Sequence, residues 1–160
     1  MRNLDEIDVA ILRELQRDAR RPNKALAHAV GVSPSTMLHR VRSLERRGVV
    51  RGYHAEIEPE ALGRRVEALV AVKLRSKTPD AVEQFVEAVW ALDETIAVTK
   101  VTGDDDVVVH VSAPDISALA ETVLAAIASA PHVADERTSI IFHHRRKQVL
   151  EPLHDTASGS

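Results

Sequence analysis

Hydrophobic residues near the N-terminus recur every three or four positions, which is the spacing of an amphipathic helix. The first series consists of Leu4, Ile7, Ile11 and Leu15. Asp5, a residue typical of a helix N-cap, stands near its beginning. It stops at the stretch DARRPN, where charged and turn-forming residues break the spacing. The pattern therefore predicts a first helix that begins beside Asp5.

A second, shorter helix is predicted from its caps. Asn23 is expected to cap a helix over Lys24–Val30, with Leu26 and Val30 turned inward. Gly31 then supplies the left-handed residue that ends many helices. This helix is barely two turns long.

A third helix is predicted after a short turn. Ser33 is a typical N-cap, and Pro34 stands at the first helical position, where its missing N–H costs nothing. Gly48 is expected to close the helix. Because successive residues lie about 100° apart around a helix, one apolar stripe faces the first two helices: Met37, Val41 and Leu44.

Beyond Gly48 the period changes to the alternation that is typical of strands. Val49–Ile57 is predicted as a strand, and the stretch PEALG over 59–63 as a turn-rich connector. Further strands are predicted over 65–76, 95–102, 106–113 and 134–142, with a tight turn at Gly103–Asp105. Helices are predicted over 79–92, with Val82, Phe85, Val86 and Val89 inward, and over 115–129, with Ile116, Leu119, Val123 and Ile127 on one stripe.

The two patterns predict an α+β protein. The order βαββαβ favours a four-stranded antiparallel sheet with two helices on one face, the ferredoxin-like arrangement. We expect a three-helix, winged-type helix-turn-helix domain over residues 1–50 and a strand and linker over 51–64. The ferredoxin-like domain is expected over 65–150 and a polar tail over 151–160. A segment of about 50 residues buries little surface on folding. The two domains are therefore expected to be stabilised by contact with each other or with a partner chain.

Composition and charge restrict the function classes. The chain has no Cys, which excludes disulfides, thiolate metal sites and a cysteine nucleophile and suits a reducing cytoplasm. No apolar run approaches the roughly 18 residues of a membrane span. Residues 1–52 hold 11 Lys and Arg against 6 Asp and Glu, which leaves 10 against 18 for the rest. Opposite signs indicate two tasks, one of which faces an anion.

The third helix concentrates polar side chains on the face opposite its apolar stripe. Short hydroxyl side chains let a helix approach base edges, and Arg binds guanine bidentately or binds phosphate. This sorting indicates a helix that lies in the major groove of double-stranded DNA; the alternative is a solvated charged surface. The candidate DNA-binding residues are Ser33, Ser35, Thr36, His39, Arg40, Arg42, Ser43, Arg46 and Arg47.

Three stretches together resemble the Lrp/AsnC (feast/famine) transcriptional regulators. They are LDEIDVAILRELQRDAR, GVSPSTMLHRVRSLERRGVVRGYHAEIEP and VTGDDDVVVHV, within a resemblance that runs from Leu4 to about Leu150. The resemblance implies an N-terminal helix-turn-helix, a connecting strand that helps to pair subunits, and a ferredoxin-like domain. It also implies dimers, often octamers, with an amino acid or a similar metabolite bound between dimers.

Candidate effector-binding residues follow from the same resemblance: Thr102, Gly103, Asp104 and Asp106, with Thr138 and Ser139. The family commonly has an aromatic residue between the two loop aspartates, whereas this chain has Asp105. Three adjacent carboxylates favour an ammonium group or a basic side chain in the ligand. The alternative is a hairpin turn in which Gly and Asp only supply positive φ.

The remaining candidate sites have structural explanations. The stretch HHRRK over 143–147 suggests a metal or anion site, but neighbouring strand residues point to opposite faces, so a solvated strand end is favoured. His54 and His110 each stand alone in strand-like segments, and Trp90 is expected in the core or at a subunit contact. No metal site and no cofactor other than the effector are expected.

The sequence is expected to belong to a regulator rather than an enzyme. It contains no phosphate-binding glycine loop, no G-x-S-x-G, no H-E-x-x-H and no carboxylate pair beside a base. The alternative is an enzyme similar to the sirohaem decarboxylases, which resemble this family in their two domains. The acidic C-terminal part argues against a pocket for a ligand with many carboxylates.

Overall fold

Helices and strands separate along the chain as their periods predict. A computed structural model describes residues 4–153 and forms two compact units. The described part of the first unit is 4–56 with 145–153, and the second unit is Ile57–His144. The chain therefore passes between the units twice, and the second passage falls within the range assigned to the ferredoxin-like domain. The functional domain bounds stay a prediction.

Three helices form the first unit. The predicted cap of the first is confirmed, because Asp8 N donates a 2.7 Å hydrogen bond to Asp5 Oδ1. Gly31, with a φ of 79°, ends the second helix as expected. Ser33 caps the third through the backbone N–H of Thr36. The helices are α1 (Glu6–Arg17), α2 (Asn23–Val30) and α3 (Pro34–Arg46).

The core of this unit comes from all three helices. Ile11 of α1, Leu26 of α2, and Met37 and Leu44 of α3 are almost completely buried. The apolar stripe predicted for α3 therefore faces α1 and α2, which leaves the opposite side of α3 exposed to solvent.

The predicted cap of α2 is wrong. Asn23 is the first residue of the helix itself, and Pro22 precedes it with no side-chain cap. The Asn23 side chain is used elsewhere, because its Nδ2 donates a 2.9 Å hydrogen bond to Pro34 O at the start of α3. This contact crosses the turn between the two helices and ties them together.

The predicted strand Val49–Ile57 is also wrong for the single chain, since residues 51–58 have no regular secondary structure. A β-strand needs a neighbour to complete its hydrogen bonds. The connector ends in a short 3₁₀ helix, Pro59–Leu62, followed by Gly63 with a φ of 77°.

The second unit is a four-stranded antiparallel sheet in the order β2-β3-β1-β4, as expected for a ferredoxin-like fold. Ala68, Val70 and Val72 of β1 are fully buried, as are Val107, Val109 and Val111 of β3. This alternation places one face of the sheet in the core. The strands are β1 (Val66–Leu74), β2 (Thr95–Lys100), β3 (Val107–Ala113) and β4 (Val133–Ile141).

Two helices cover that face: α4 (Pro79–Trp90), and α5, which spans 116–128. Phe85 and Val89 of α4 are buried as predicted, whereas Trp90 is 59% exposed and is not a core residue. The centre of α5, Leu119–Leu124, is π-helical. Its wider turns rotate the preceding residues relative to the following ones, and Ile116, predicted on the buried stripe, is exposed. No helix in the described residues is long and apolar enough to span a membrane.

Candidate nucleic-acid interface and effector loop

The outward face of α3 carries polar side chains exposed to solvent. Ser35, His39, Arg42 and Arg46 all lie on this face and are exposed. Within the described part of the chain, the two arginines make no hydrogen bond or ion pair, so their guanidinium groups remain available. Arg presents donors in a rigid fork that matches guanine or phosphate. This face can therefore donate hydrogen bonds to DNA.

A group of hydroxyls fixes the start of α3. Ser33 Oγ accepts a 3.1 Å hydrogen bond from Thr36 N and lies 2.8 Å from Thr36 Oγ1 and 3.0 Å from Ser35 Oγ. Ser33 is thus engaged in capping the helix. Ser35 and Thr36 remain exposed beside it at the end of α3 that a helix-turn-helix inserts into the groove.

Two of the candidate arginines are paired within the fold. Arg40 Nη1 donates to Asp5 Oδ2 at 2.7 Å and to Asp8 Oδ1 at 2.8 Å. Arg47 Nη1 lies 3.4 Å from Asp8 Oδ2. The Asp8 backbone hydrogen bond, followed by the bond from Arg40, holds the pKa of Asp5 below its ordinary value. These contacts fasten one edge of α3 to the beginning of α1.

Asp5 and Asp8 were not predicted as site residues. By pairing with Arg40 and Arg47, however, they decide which side chains of α3 remain available to a ligand. Asp8 is only 6% exposed, and the two carboxylates border a shallow groove together with the α3 edge. The α3 residues of that groove are Thr36, His39, Arg40, Ser43 and Arg47. The DNA-binding assignment of all the candidate residues stays a prediction.

The segment after α3 is tied back to the same helix. Tyr53 Oη donates a 2.9 Å hydrogen bond to Glu45 Oε1. Partial burial, followed by this contact with a carboxylate, raises the pKa of the Tyr53 hydroxyl. Tyr53 therefore fixes the beginning of the linker to the end of α3.

The loop between β2 and β3 does not hold three equivalent carboxylates. Asp106 accepts a 2.9 Å hydrogen bond from Leu74 N and pairs with Lys77 Nζ at 2.7 Å. The Lys77 hydrogen bond is the main cause that lowers the pKa of Asp106. Asp106 thus fixes the loop to the end of β1.

The neighbouring carboxylates differ from Asp106 and from each other. Arg137 Nη2 donates a 2.6 Å hydrogen bond to Asp105 Oδ2. Asp104 is exposed and makes no side-chain hydrogen bond or ion pair with any residue in 4–153. Of the three adjacent carboxylates, two are therefore already paired with cations of the protein, and only the third is available to a cationic ligand within the described residues.

The other candidate effector residues occupy two places. Thr102 and Gly103 lie in the same loop and are exposed, and Gly103 has a φ of 130°, which favours glycine. Thr138 and Ser139 lie exposed on β4, which is separated from β3 by β1. Within residues 4–153, the Asp105–Arg137 hydrogen bond joins the loop to the strand beside Thr138. The effector role of these residues stays a prediction.

The histidines considered as candidate sites lie in different places in the described structure. His110 Nε2 lies 2.8 Å from Glu67 Oε2 on the side of the sheet away from the helices. His143 and His144 are exposed at the end of β4. The described residues contain no group of three or more His, Cys, Asp or Glu side chains placed to bind a metal.

Comparison with protein families matches both parts of the chain. Residues 4–45 match the AsnC-type helix-turn-helix domain, and residues 67–149 match the Lrp/AsnC ligand binding domain. The first match includes all of α3 except its last residue, and the second contains the whole sheet except Val66, the first residue of β1.

Individual relatives match along most of their length. The HTH-type transcriptional regulator AldR of Mycolicibacterium smegmatis is 39% identical over 145 residues, which cover 91% of this chain and 85% of that protein. The leucine-responsive regulatory protein of Escherichia coli is 39% identical over 140 residues, covering 88% and 85%.

Solved structures match the fold as well as the sequence. A Neisseria meningitidis transcriptional regulator, solved as an L-Met complex, has a TM-score of 0.83 and 32% identity and covers 91% of this chain and 94% of its own. Escherichia coli AsnC has a TM-score of 0.82 and 25% identity, covering 94% and 99%.

Proposed function

The chain belongs to the Lrp/AsnC family of transcriptional regulators, and we propose that α3 reads its operator through Ser35, Thr36, His39, Arg42 and Arg46. The protein is a metabolite-responsive, DNA-binding transcriptional regulator and not an enzyme. The observation that carries the proposal is the exposed face of α3, whose arginines Arg42 and Arg46 have no partner in residues 4–153. Such donors are free to bind base edges or phosphates.

The candidate DNA-binding residues have two roles in this proposal. Arg40 and Arg47 hold α3 against α1 through Asp8, and Ser33 fixes the start of the helix. Ser43 lies between the two sets, on the groove beside Arg47. Arg40, Arg47 and Ser33 therefore position the helix, while the side chains on its exposed face contact DNA.

The effector is proposed to be an amino acid that binds at the loop after β2. Asp104 supports this, since its exposed carboxylate is available to an α-ammonium group, while Asp106 holds the loop in place. The L-Met complex of the Neisseria meningitidis regulator gives further support for an amino acid. Thr138 and Ser139 of a neighbouring copy of this chain would complete the binding site for the amino acid.

A homodimer is the proposed functional unit, with octamers as a further assembly, located in the cytoplasm. The face of the sheet away from its helices exposes Leu69 by 40%, and Ala71, Val108 and Ile141 on this face are only partly covered. Burying this face in a second copy would remove apolar surface from water. A helix-turn-helix reads few base pairs, so two copies about 34 Å apart suit a palindromic operator.

Operator selection tests the central proposal. Purified protein would be incubated with random duplexes, and the retained sequences determined. A recovered site with two related halves about one helical turn apart supports the proposal. Retention without any shared sequence would remove base reading by α3. The enzyme alternative makes a different prediction, namely a Soret absorption band in the purified protein.

A further inference from the structure

The C-terminal segment of the described chain is fastened to α1. Arg13 donates from Nε to Glu151 Oε1 at 2.7 Å and from Nη2 to Glu151 Oε2 at 2.8 Å. Gln16 Nε2 donates to Leu150 O at 3.2 Å, and Leu150 N donates to Gln16 Oε1 at 2.9 Å. The bidentate contact on the Glu151 side chain and the pair of hydrogen bonds on the Leu150 backbone fix the position of this segment along α1. We call residues Leu150 and Glu151 the strap.

A cationic stretch stands immediately before the strap. Arg145, Arg146 and Lys147 are exposed and make no hydrogen bond or ion pair with the rest of the described residues. They belong to the same compact unit as the three helices. Three residues of chain span at most about 11 Å, so the strap holds Lys147 within that distance of Leu150.

The strap binds the half of α1 that leads into α2, within the compact unit that also contains α3. Asp5 and Asp8, at the start of α1, contact Arg40 and Arg47 in the later part of α3. Arg13 and Gln16 lie in the other half of α1, which leads into α2. The first residue of α2, Asn23, contacts Pro34 O at the first turn of α3.

A helix-turn-helix inserts its recognition helix into the major groove, which brings the surface of the same compact unit close to the phosphates on either side. We propose that Arg145, Arg146 and Lys147 form a second DNA contact, which binds backbone phosphates flanking the operator and which the strap holds in place. The contact adds affinity without reading bases, because cationic side chains bind phosphate irrespective of sequence. It rests on the DNA-binding function of the chain but not on any role of α3 in base reading.

Salt dependence measures this contact. Each phosphate contact contributes about −0.9 to the slope of log K against log salt on duplex DNA. The test compares the parent with Arg145→Gln/Arg146→Gln by fluorescence anisotropy between 50 and 200 mM salt, a range in which such slopes are resolved. We expect the slope of the variant to be shallower by about 1.8 for each bound subunit, equally on the operator and on a random duplex.

Arg65→Gln/Arg75→Gln is the matched control. Both residues are exposed in the other compact unit, and the change in net charge is the same. We expect it to keep the parental slope. An equal reduction in both double variants would mean a general charge effect, and an unchanged slope in Arg145→Gln/Arg146→Gln would mean that the stretch does not touch DNA. Either result overturns the proposal.

Glu151→Gln tests the strap separately. It removes a negative charge, so general electrostatics predicts tighter DNA binding, whereas loss of the strap predicts a shallower slope. A shallower slope supports the positioning role of the strap, and a steeper slope overturns it. Equal melting temperatures of the parent and the variant exclude unfolding as the cause. If the parent bound no duplex at all, the DNA-binding function would fail, which is a different result from an unchanged slope.

Discussion

Arg40 and Asp8 are 32 residues apart in the sequence, and their side chains meet at 2.8 Å in the first unit. Asp8 also faces Arg47 at 3.4 Å, so one almost buried carboxylate binds two arginines of α3. These contacts complement the apolar stripe, which already turns one face of α3 toward α1 and α2. The rotation of the recognition helix is thus set partly by charge.

Asp8→Ala should destabilise the first unit. The change leaves Arg40 and Arg47 without their shared partner, and hydrogen bonds to charged groups are worth about 1.5–3 kcal/mol each. We expect the free energy of unfolding to fall by about 2 kcal/mol in urea denaturation. Glu6→Ala, an exposed carboxylate in the same turn, is the control and should lose much less. Equal losses would exclude a special role for Asp8.

Arg42→Ala should reduce operator recognition without affecting stability. A bidentate contact to guanine contributes about 1–3 kcal/mol of discrimination. We therefore expect the ratio of operator to random-duplex affinity to fall by roughly tenfold or more, with an unchanged melting temperature. Arg40→Ala should instead lower the melting temperature, because its partners are Asp5 and Asp8. A variant of Arg42 that kept full discrimination would place base reading elsewhere.

Asp104→Ala should abolish the effector response while leaving ligand-free DNA binding intact. The carboxylate has no partner in the described chain, so its loss costs the fold little. A thermal-shift screen of amino acids identifies the ligand, which stabilises the parent by about 2.7 kcal/mol at 100 times its Kd. Gel-shift titrations with and without that ligand then compare the variant with the parent. An unchanged response would remove Asp104 from the site.

The pKa of Asp106 should depend on Lys77. The folded-state pKa of Asp106 lies below its unfolded value, so the stabilisation is present above the unfolded pKa and is lost as the pH falls through the folded pKa. In Lys77→Met the main cause is absent, and we expect the Asp106 pKa to rise toward its ordinary value of about 3.9. A carboxyl-detected NMR titration measures both proteins. An identical pKa in the two would assign the shift to the remaining contacts, chiefly the Leu74 backbone hydrogen bond and then the charge of Lys73.

Leu69→Glu should prevent dimer formation. The change places a charge in the centre of the open sheet face, where burial in a second copy would require costly desolvation. We expect light scattering at micromolar concentration to give a monomer near 17.6 kDa for the variant and at least twice that mass for the parent. Ile116→Glu, an exposed apolar residue of α5, is the control and should remain dimeric. A dimeric Leu69→Glu protein would place the interface elsewhere.

The parts of the fold that depend on residues close together in the sequence, such as helix ends, were predictable. Asp5, Ser33 and Gly31 act on their own helix ends, and all three act as their residue types predict. Asn23 failed because a tertiary contact with Pro34 uses the side chain that a cap would need. The strand over 49–57 failed because a strand depends on a neighbour that the local sequence does not specify.

The candidate site was predictable in outline but not in its division of roles. The spacing of Met37, Val41 and Leu44 identifies the outward face of α3. It does not show that Arg40 meets Asp8, since partners far apart in sequence are brought together only by packing. The same holds for Asp105 and Arg137, whose contact, together with that of Asp106 and Lys77, leaves one exposed carboxylate in a run of three.

The pairing of Arg40 and Arg47 with Asp8 has a consequence for how the regulator can acquire new targets. The side chains that hold α3 in place differ from those that the helix presents outward at Ser35, His39 and Arg42. Substitutions at the outward positions change no buried contact, so they carry little risk of misfolding. A library randomised at Ser35, His39 and Arg42 should therefore yield many soluble repressors or activators with altered operator preferences. The outward residues of α3 can therefore change the sequence that is recognised while the contacts that hold the helix in place stay the same.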